Sequence, residues 1–93
     1  MDKKRLSFIT VIGKDKKGIV ARIANLLYRN NINIEDISQK IMEGFFVMAM
    51  LVDMADCKKD RAVFAKELKN LGEKMGLTVQ IQDEEIFKRM HRI

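Results

Sequence analysis

The sequence predicts an α+β fold in which strands and helices follow one another as βαββαβ, with a short helix added at the C-terminal end. Three observations lead to this order. Runs of β-branched and aromatic residues indicate strands, two segments carry apolar residues at helical spacing, and Gly or Asn stands where the chain must turn. We therefore expect a single sheet with two helices packed on one of its faces.

The first half of the chain predicts a strand, a charged turn and a helix. Residues 5–12 are rich in β-branched and aromatic side chains, and residues 13–17 form the turn. Asp15 is placed to act as the N-cap of a helix that continues to about residue 30, where Asn30 and Asn31 end it. The broad apolar face of this helix consists of Ile19, Val20, Ile23, Ala24, Leu26 and Leu27.

The second strand, predicted at residues 32–42, changes the phase of its alternation. Its apolar residues shift from even to odd positions: Ile32, Ile34, Ile37 and Ile41. Side chains alternate strictly along a strand, so one extra residue must be accommodated. We therefore expect a β-bulge near Glu35 and Asp36.

The second half of the chain predicts a hairpin, a second helix, a fourth strand and a terminal helix. Glu43 and Gly44 form a tight turn into a strand at residues 45–53. A helix at residues 59–75 stops at Gly76 and has its apolar residues at Phe64, Leu68, Leu71 and Met75. The fourth strand alternates apolar with polar residues, the apolar ones being Leu77, Val79 and Ile81. The terminal helix begins with acidic and ends with basic side chains, which suits the helix dipole: Asp83, Glu84, Glu85, Lys88, Arg89 and Arg92.

This order of elements is the split βαβ arrangement of the ferredoxin-like fold, with a four-stranded antiparallel sheet and two helices on one face. At 93 residues the chain has room for one domain, which we assign to residues 1–93, with residues 83–93 as a C-terminal helical extension.

Composition narrows the function classes. No apolar run approaches the ~20 residues of a membrane helix, so we expect no membrane association. The single cysteine, Cys57, cannot form an internal disulfide, and a reducing cytoplasm is the expected location.

The net charge of +5 is scattered along the chain, which indicates a solvated surface with a mild bias toward anions. No Cys/His cluster is available for zinc, and the only histidine, His91, is expected to be a surface residue.

Two features predict self-association. The third strand, FFVMAMLV, is apolar on both faces, whereas a sheet with one wet face should alternate. The terminal helix carries an apolar stripe of Ile86, Phe87, Met90 and Ile93, and so short a helix is stable only when it is packed. We expect a homodimer or higher homo-oligomer. The alternative is that the terminal helix folds back over its own sheet and closes the open face without a partner.

The turn after the first strand is the strongest candidate site. Gly18 would allow close approach of the backbone to a ligand, and free N–H groups at a helix start suit a carboxylate. Asp15 could receive an ammonium group, and Asn33 offers both a donor and an acceptor. The alternative is that Asp15 and Gly18 are only cap and packing residues, with Lys14, Lys16 and Lys17 solvated.

A resemblance to the ACT domain, a small amino-acid-binding regulatory module, is carried by the run GKDKKGIVARIANLLYRNNINIEDISQ. The signature of that family is a strand, G-x-D-x-x-G-I/L-V/L, a helix, and Asn-Ile on the next strand. The segment FFVMAMLVDM and the ending IFKRMHRI extend the resemblance to the whole chain, and they are most similar to a group of stand-alone ACT-domain proteins.

The resemblance implies a ligand site at an interface between subunits. ACT domains pair edge to edge or face to face, and the turn of one subunit holds the effector together with the Asn-Ile region of the next. The positions implied here are Gly13, Asp15, Lys16, Lys17, Gly18, Ile19, Val20, Asn33 and Ile34. Lys17 departs from the family, since many members have Pro there, and a flexible cation replaces a rigid backbone angle.

We therefore expect a regulatory module that senses an amino acid or similar small anion, has no catalytic residues, cofactor or metal, and acts on a regulated protein partner. A dimerisation scaffold without ligand is one alternative. An acylphosphatase-like enzyme is another, but its turn would need an arginine, and Arg22 lies one turn into the helix. Single-stranded RNA binding would need exposed aromatics such as Phe8, Phe45 and Phe46, and no RNP-type pattern accompanies them.

Overall fold

The computed structural model describes residues 3–90 and has the predicted order of elements. The strands are β1 (Leu6–Lys14), β2 (Asn33–Met42), β3 (Phe45–Asp53) and β4 (Leu77–Asp83). The helices are α1 (Ile19–Arg29), α2 (Arg61–Lys74) and α3 (Glu84–Met90). The strands form one antiparallel sheet in the order β2-β3-β1-β4, which confirms the ferredoxin-like prediction. His91, Arg92 and Ile93, for which the sequence also made predictions, lie outside the described residues.

The core lies between the two central strands and the helices α1 and α2. Alternate residues of β1 and β3 point to the helices, and Ile9, Val11 and Val52 are fully buried there. Phe64 of α2 is also fully buried, and a side chain of this kind contributes about 1.5–3 kcal/mol when it leaves water. Helix α2 packs so closely on β4 that a Cβ on Gly72 would lie 2.4 Å from Cγ2 of Val79. The two central strands are therefore dry on their helix side.

The opposite face of the sheet has no helix layer along most of its length, and its two central strands are largely apolar there. Register places Phe8 opposite Leu51 and Ile12 opposite Val47 on this open face. Ile12 and Phe45 are each 50% exposed. The prediction that β3 is apolar on both faces is therefore confirmed, because its odd residues lie on the open face and its even residues lie in the core.

Helix α3 folds back over one part of the open face. The rings of Phe87 and Phe8 stack with their centroids 4.2 Å apart, and Nε2 of Gln82 lies 3.3 Å from Sδ of Met90. The fold-back alternative therefore describes α3 within a single protomer. Ile86 is nevertheless 52% exposed and Met90 62% exposed, so the apolar stripe of α3 is only partly covered. Self-association stays a prediction.

Two turn predictions are confirmed. The register of β2 against β3 shifts between Ile34 and Asp36, which is the expected bulge. In the β2–β3 hairpin Glu43 and Gly44 have φ values of 54° and 82°, as a two-residue turn of type I′ requires.

The prediction that Asp15 caps α1 is wrong. Helix α1 begins at Ile19, and its N-cap residue is Gly18, with φ 85° and no side-chain capping bond. The reason is that β1 pairs with β3 as far as Lys14, two residues beyond the predicted end of the strand. Asp15 therefore lies just after the strand, and its side chain is three residues too early in the chain to cap the helix.

Candidate functional site

The turn between β1 and α1 is built so that the start of α1 is open. Gly18 adopts the left-handed conformation that reverses the chain into the helix, and no side chain caps the first N–H groups of α1. The backbone N–H of Asp15 donates to the carbonyl oxygen of Gly44 at 3.0 Å. This bond fixes the turn against the β2–β3 hairpin. The result is a rigid turn with backbone donors at its helix end.

The two glycines of the turn have different roles. A Cβ on Gly13 would lie 2.5 Å from Cδ2 of Leu77, its neighbour across the sheet, so Gly13 is required by packing. A Cβ on Gly18 would meet no atom within 4 Å, so the space beside Gly18 is open, and only its positive φ favours glycine. Gly13 is therefore a packing residue, whereas Gly18, which the alternative had made one, borders open space where a ligand could approach.

The charged side chains of the turn do not all face the same way. Lys14, Asp15, Lys16 and Lys17 are exposed. The Nζ atom of Lys16 lies 3.4 Å from the position that a Cβ on Gly76 would occupy, at the C-terminal end of α2. A cation is favoured there by the helix dipole. Lys16 thus reaches toward β4 and away from the β2 edge of the sheet.

At the helix start the two predicted apolar residues differ in exposure. The Ile19 side chain is 2% exposed and belongs to the core, and Val20 is half-buried against it. Ile19 can therefore contribute to a site only through its backbone N–H.

The Asn-Ile segment lies at the other end of the sheet from the turn. Asn33 pairs with Asp53, which in turn pairs with Leu6 at the beginning of β1. The turn follows Lys14 at the end of β1, about 26 Å away at ~3.3 Å per residue. Asn33 is exposed, whereas Ile34 packs partly against the core. Within one protomer the structure therefore does not bring the two predicted halves of the site together.

Glu35 is a neighbour of Asn33 that the sequence did not reveal as part of a site. Its carboxylate accepts hydrogen bonds from Nδ2 of Asn33 at 2.8 Å and from Nζ of Lys4 at 2.6 Å. The bond from Lys4, followed by the bond from Asn33, lowers the pKa of Glu35 below its ordinary value. Glu35 therefore holds a negative charge next to Asn33, and the Oδ1 atom of Asn33 is the atom left to accept a donor.

A second feature missed from the sequence is the shallow cavity beside Asn33. It has a volume of about 230 Å³ and is lined by Tyr28, Asn31, Ile32, Asn33 and Asp56. Tyr28 is 80% exposed, which is unusual for a large aromatic side chain. Its position on the polar side of α1 was the available signal, since an aromatic residue on that side has no core to fill.

The positions of Arg22 and Phe46 bear on the acylphosphatase and RNA-binding alternatives. Arg22 lies inside α1, where its backbone N–H donates to the carbonyl oxygen of Gly18, so it is not a turn residue. Phe46 is buried on the helix side of the sheet. Among residues 3–90, no three His, Cys, Asp or Glu side chains group as a metal site would require, and no helix is long and apolar enough to cross a membrane.

The fold and the open turn together define a small α+β module of the ferredoxin-like class. The ACT domain model matches residues 6–82, so the chain belongs to the ACT domain family, as the sequence predicted. The family is one of regulatory small-molecule-binding modules. A UPF0237 protein from Methanocaldococcus jannaschii is 53% identical over 85 residues, which cover 91% of this chain and 94% of that protein.

Solved structures agree with this assignment. An ACT domain protein from Streptococcus pneumoniae is 34% identical, with a TM-score of 0.79, and the alignment covers 92% of this chain and 97% of the other. The regulatory subunit of aspartate kinase from Thermus thermophilus is 21% identical, with a TM-score of 0.64 over 85% of this chain and 51% of that subunit. The second likeness concerns the fold alone.

Proposed function

We propose that this chain is a non-catalytic regulatory module that binds an amino acid or a similar small anion between two copies of itself. The observation that carries the proposal is the separation of the turn from Asn33. About 26 Å of strand lies between them, so one protomer cannot hold a small ligand with both. Two protomers can do so when the start of one β2 lies beside the end of the other.

The β2 edge is suited to pairing with a second copy. It is an outer strand of the sheet, and its residues from Asp36 to Met42 are all exposed. Ile37 is 42% exposed and Ile41 is 63% exposed. A long edge strand with exposed apolar side chains and unpaired backbone groups favours strand addition. Edge-to-edge pairing would satisfy that edge and cover both isoleucines.

Two protomers that pair through their β2 edges about a two-fold axis would complete the site. Antiparallel pairing of two β2 strands sets Asn33 of the partner subunit near Met42 of the first protomer. Met42 is adjacent to the hairpin turn, and the bond between Asp15 and Gly44 holds the turn before α1 against that hairpin. The turn of one subunit and Asn33 of the other then flank one space. Symmetry makes two such spaces in each dimer.

The chemistry of the two halves suits a zwitterion. The uncapped N–H groups at the start of α1 and the exposed Lys14 and Lys17 favour a carboxylate. On the other side Glu35 supplies a carboxylate and Asn33 an amide oxygen, which suit an ammonium group. Asp15, which lies in the turn itself, offers a second acceptor for that ammonium group. An α-amino acid presents these two charges on one small scaffold.

The proposed role of the module in the cell is to pass the presence of its ligand on to another protein. Ligand binding between subunits would alter the dimer, and a regulated protein partner would respond to that change. The single Cys57 supports a cytoplasmic location. A scaffold that dimerises without ligand is the main competitor, because the exposed β2 edge would favour pairing in either case.

The test is a thermal-shift screen of the protein against each of the amino acids. A ligand present at a hundred times its dissociation constant stabilises the native state by ~2.7 kcal/mol, which raises the melting temperature measurably. Asp15→Ala and Asn33→Ala should each remove the shift. Asn70→Ala, an exposed position on α2, is the matched control and should keep it.

Light scattering on the same samples tests the dimer separately. A dimer with no ligand response would support the scaffold. A monomer at high concentration contradicts the interface site, and so does a shift that survives both Asp15→Ala and Asn33→Ala.

A further inference from the structure

A polar cavity lies at the end of the sheet where β1 begins and β3 ends, beneath the first turn of α2. Its volume is about 260 Å³, and its walls include three cationic residues, Arg5, Lys59 and Arg61. Asp60 is the one acidic residue of the wall. This volume is slightly below the ~300–1,000 Å³ range of ordinary ligand pockets, so the cavity fits a small ligand.

Backbone hydrogen bonds fix the loop that forms one side of the cavity. The N–H of Met54 donates to the carbonyl oxygen of Arg5 at 2.7 Å, and the N–H of Cys57 donates to Met54 at 3.1 Å. The N–H of Lys58 donates to the carbonyl oxygen of Asn30 at 3.1 Å, which ties the loop to the end of α1. The backbone of this loop is therefore ordered by bonds within the protein, which lowers the cost of binding.

The cations of the wall are only partly neutralised. Nζ of Lys59 pairs with Glu67 at 2.7 Å, but the nearest approach of Arg61 to Asp83 is a long 3.5 Å. Arg5 is structural through its backbone, and its guanidinium has no ion pair with any described side chain. The wall therefore keeps unused donors with positive charge.

A buried polar atom near the start of β1 also lacks a partner. Ser7 is two residues beyond Arg5 and lies on the helix side of the sheet, opposite Asp83 in β4. It is 1% exposed, and its hydroxyl has no hydrogen-bond partner among the described residues. A buried hydroxyl without a partner is costly and calls for an explanation. A bound oxygen atom, from a ligand or an ordered water, would supply the missing bond.

We propose that this cavity binds a phosphate group, either as inorganic phosphate or on a small phosphate monoester. Two arginines with planar donor arrays, a lysine and the uncapped start of α2 together supply the positive charge and the hydrogen-bond donors that a phosphate dianion requires. The proposal does not rest on the amino-acid site or on the dimer. The cavity is formed within one protomer, and the turn before α1 lies at the opposite end of the sheet.

The test is a titration of ¹⁵N-labelled full-length protein with sodium phosphate, with ionic strength held constant by sodium chloride. We expect saturable shifts of the backbone amides of Arg61, Ala62 and Val63 in the first turn of α2. A parallel titration with glycerol phosphate distinguishes an ester from the free ion, because the tighter of the two identifies the natural form of the group.

Arg5→Gln is the informative variant, since it removes the unpaired guanidinium and leaves both backbone bonds of residue 5. It should weaken phosphate binding about tenfold or more, as expected for the loss of a charge-assisted bond. Lys58→Gln removes a neighbouring exposed charge outside the cavity wall and should leave the affinity within about twofold.

Three results would overturn the proposal. Shifts that do not saturate would mean an adventitious ion only. Equal affinity in Arg5→Gln and wild type would remove the cavity from the interaction. Shifts confined to residues 14–21 would place the phosphate at the turn before α1, and they would leave the amino-acid proposal to its own test.

Discussion

The backbone N–H of Asp15 donates a 3.0 Å hydrogen bond to the carbonyl oxygen of Gly44. This bond joins the turn before α1 to the β2–β3 hairpin and thereby to the end of the exposed β2 edge. The Asn-Ile segment begins at the opposite end of that same edge. The two parts of the family's signature, which are close in sequence, are therefore separated in one protomer, and the proposed site needs a second copy to bring them together.

Mixed dimers should show that the ligand site is shared between subunits. Homodimers of Asp15→Ala and of Asn33→Ala each have a defect in both sites, so neither should respond to the amino acid found in the screen. In a mixed dimer one site receives both defects and the other receives none. Refolding the two variants together in equal amounts should therefore restore ligand binding, with about one site per mixed dimer, measured by titration calorimetry.

The control for this experiment is a mixture of wild-type protein with itself, taken through the same refolding. If the mixed variants stay silent while this control binds normally, Asp15 and Asn33 belong to the same site within one protomer or to no site.

A charge on the β2 edge should break the dimer without unfolding the protomer. Ile41 is 63% exposed and contributes little to the core, so Ile41→Lys should leave the melting temperature of the protomer nearly unchanged. A lysine on an edge strand opposes pairing with another strand. We expect light scattering to report a monomer at concentrations where the wild type is a dimer.

The matched control is Val63→Lys on α2, which is 54% exposed and lies away from the β2 edge. It should leave the dimer intact. If Ile41→Lys remains dimeric, the copies associate through another surface, and the apolar open face becomes the first candidate.

The elements of the fold could be predicted from the sequence because their signals are local. The alternation of β3, the phase change at the bulge and the Glu43–Gly44 pair are each contained in a few neighbouring residues. The start of α1 was predicted wrongly because it depends on a distant pairing. Lys14 remains in the strand through its partner Phe45, and this moves the N-cap position to Gly18 and the first helical residue to Ile19.

The candidate site was less predictable than the fold, since side-chain direction is set by tertiary contacts. Nothing in the spacing of the turn indicates that Lys16 reaches the end of α2, where it lies beside Gly76. The link from Lys4 through Glu35 to Asn33 joins residues about thirty positions apart, and periodicity carries no information about such a pair. The family resemblance named positions in the site and gave no orientations.

Substitution of the two turn glycines should separate packing from backbone conformation. Gly13→Ala places a methyl group 2.5 Å from Cδ2 of Leu77, and overpacking of this kind costs about 1–3 kcal/mol. Gly18→Ala creates no clash, and the cost of its positive φ is about 1–2 kcal/mol. Urea denaturation should show destabilisation in both variants.

The difference between the two variants should appear in the response to a second change. Shortening Leu77 to Val provides room for the added methyl group, so Leu77→Val should partly rescue Gly13→Ala. It should not rescue Gly18→Ala, whose strain is in its own backbone. Equal effects of Leu77→Val on both variants would contradict the roles assigned to these glycines.

Asp53 should make the protein more sensitive to acid. Its Oδ1 accepts the backbone N–H groups of Arg5 and Ala55, both at 3.0 Å, and these bonds lower the pKa of Asp53 below its ordinary value of 3.8. A depressed pKa in the folded state means that the carboxylate stabilises the fold above pH 3.8 and that this contribution is lost as the pH falls through the lower folded-state value. The urea concentration at the unfolding midpoint of the wild type should therefore decrease when the pH drops below about 4.

Asp53→Asn keeps an oxygen acceptor but cannot ionise. Its stability at pH 7 should be lower than that of the wild type, and its decline between neutral and acid pH should be shallower. Some decline should remain, because the pKa of Glu35 is also lowered by its bonds with Lys4 and Asn33. Asp56→Asn, whose side chain accepts none of the hydrogen bonds found within residues 3–90, should follow the wild-type curve. Parallel curves for Asp53→Asn and the wild type would show that these two backbone bonds do not control the acid response.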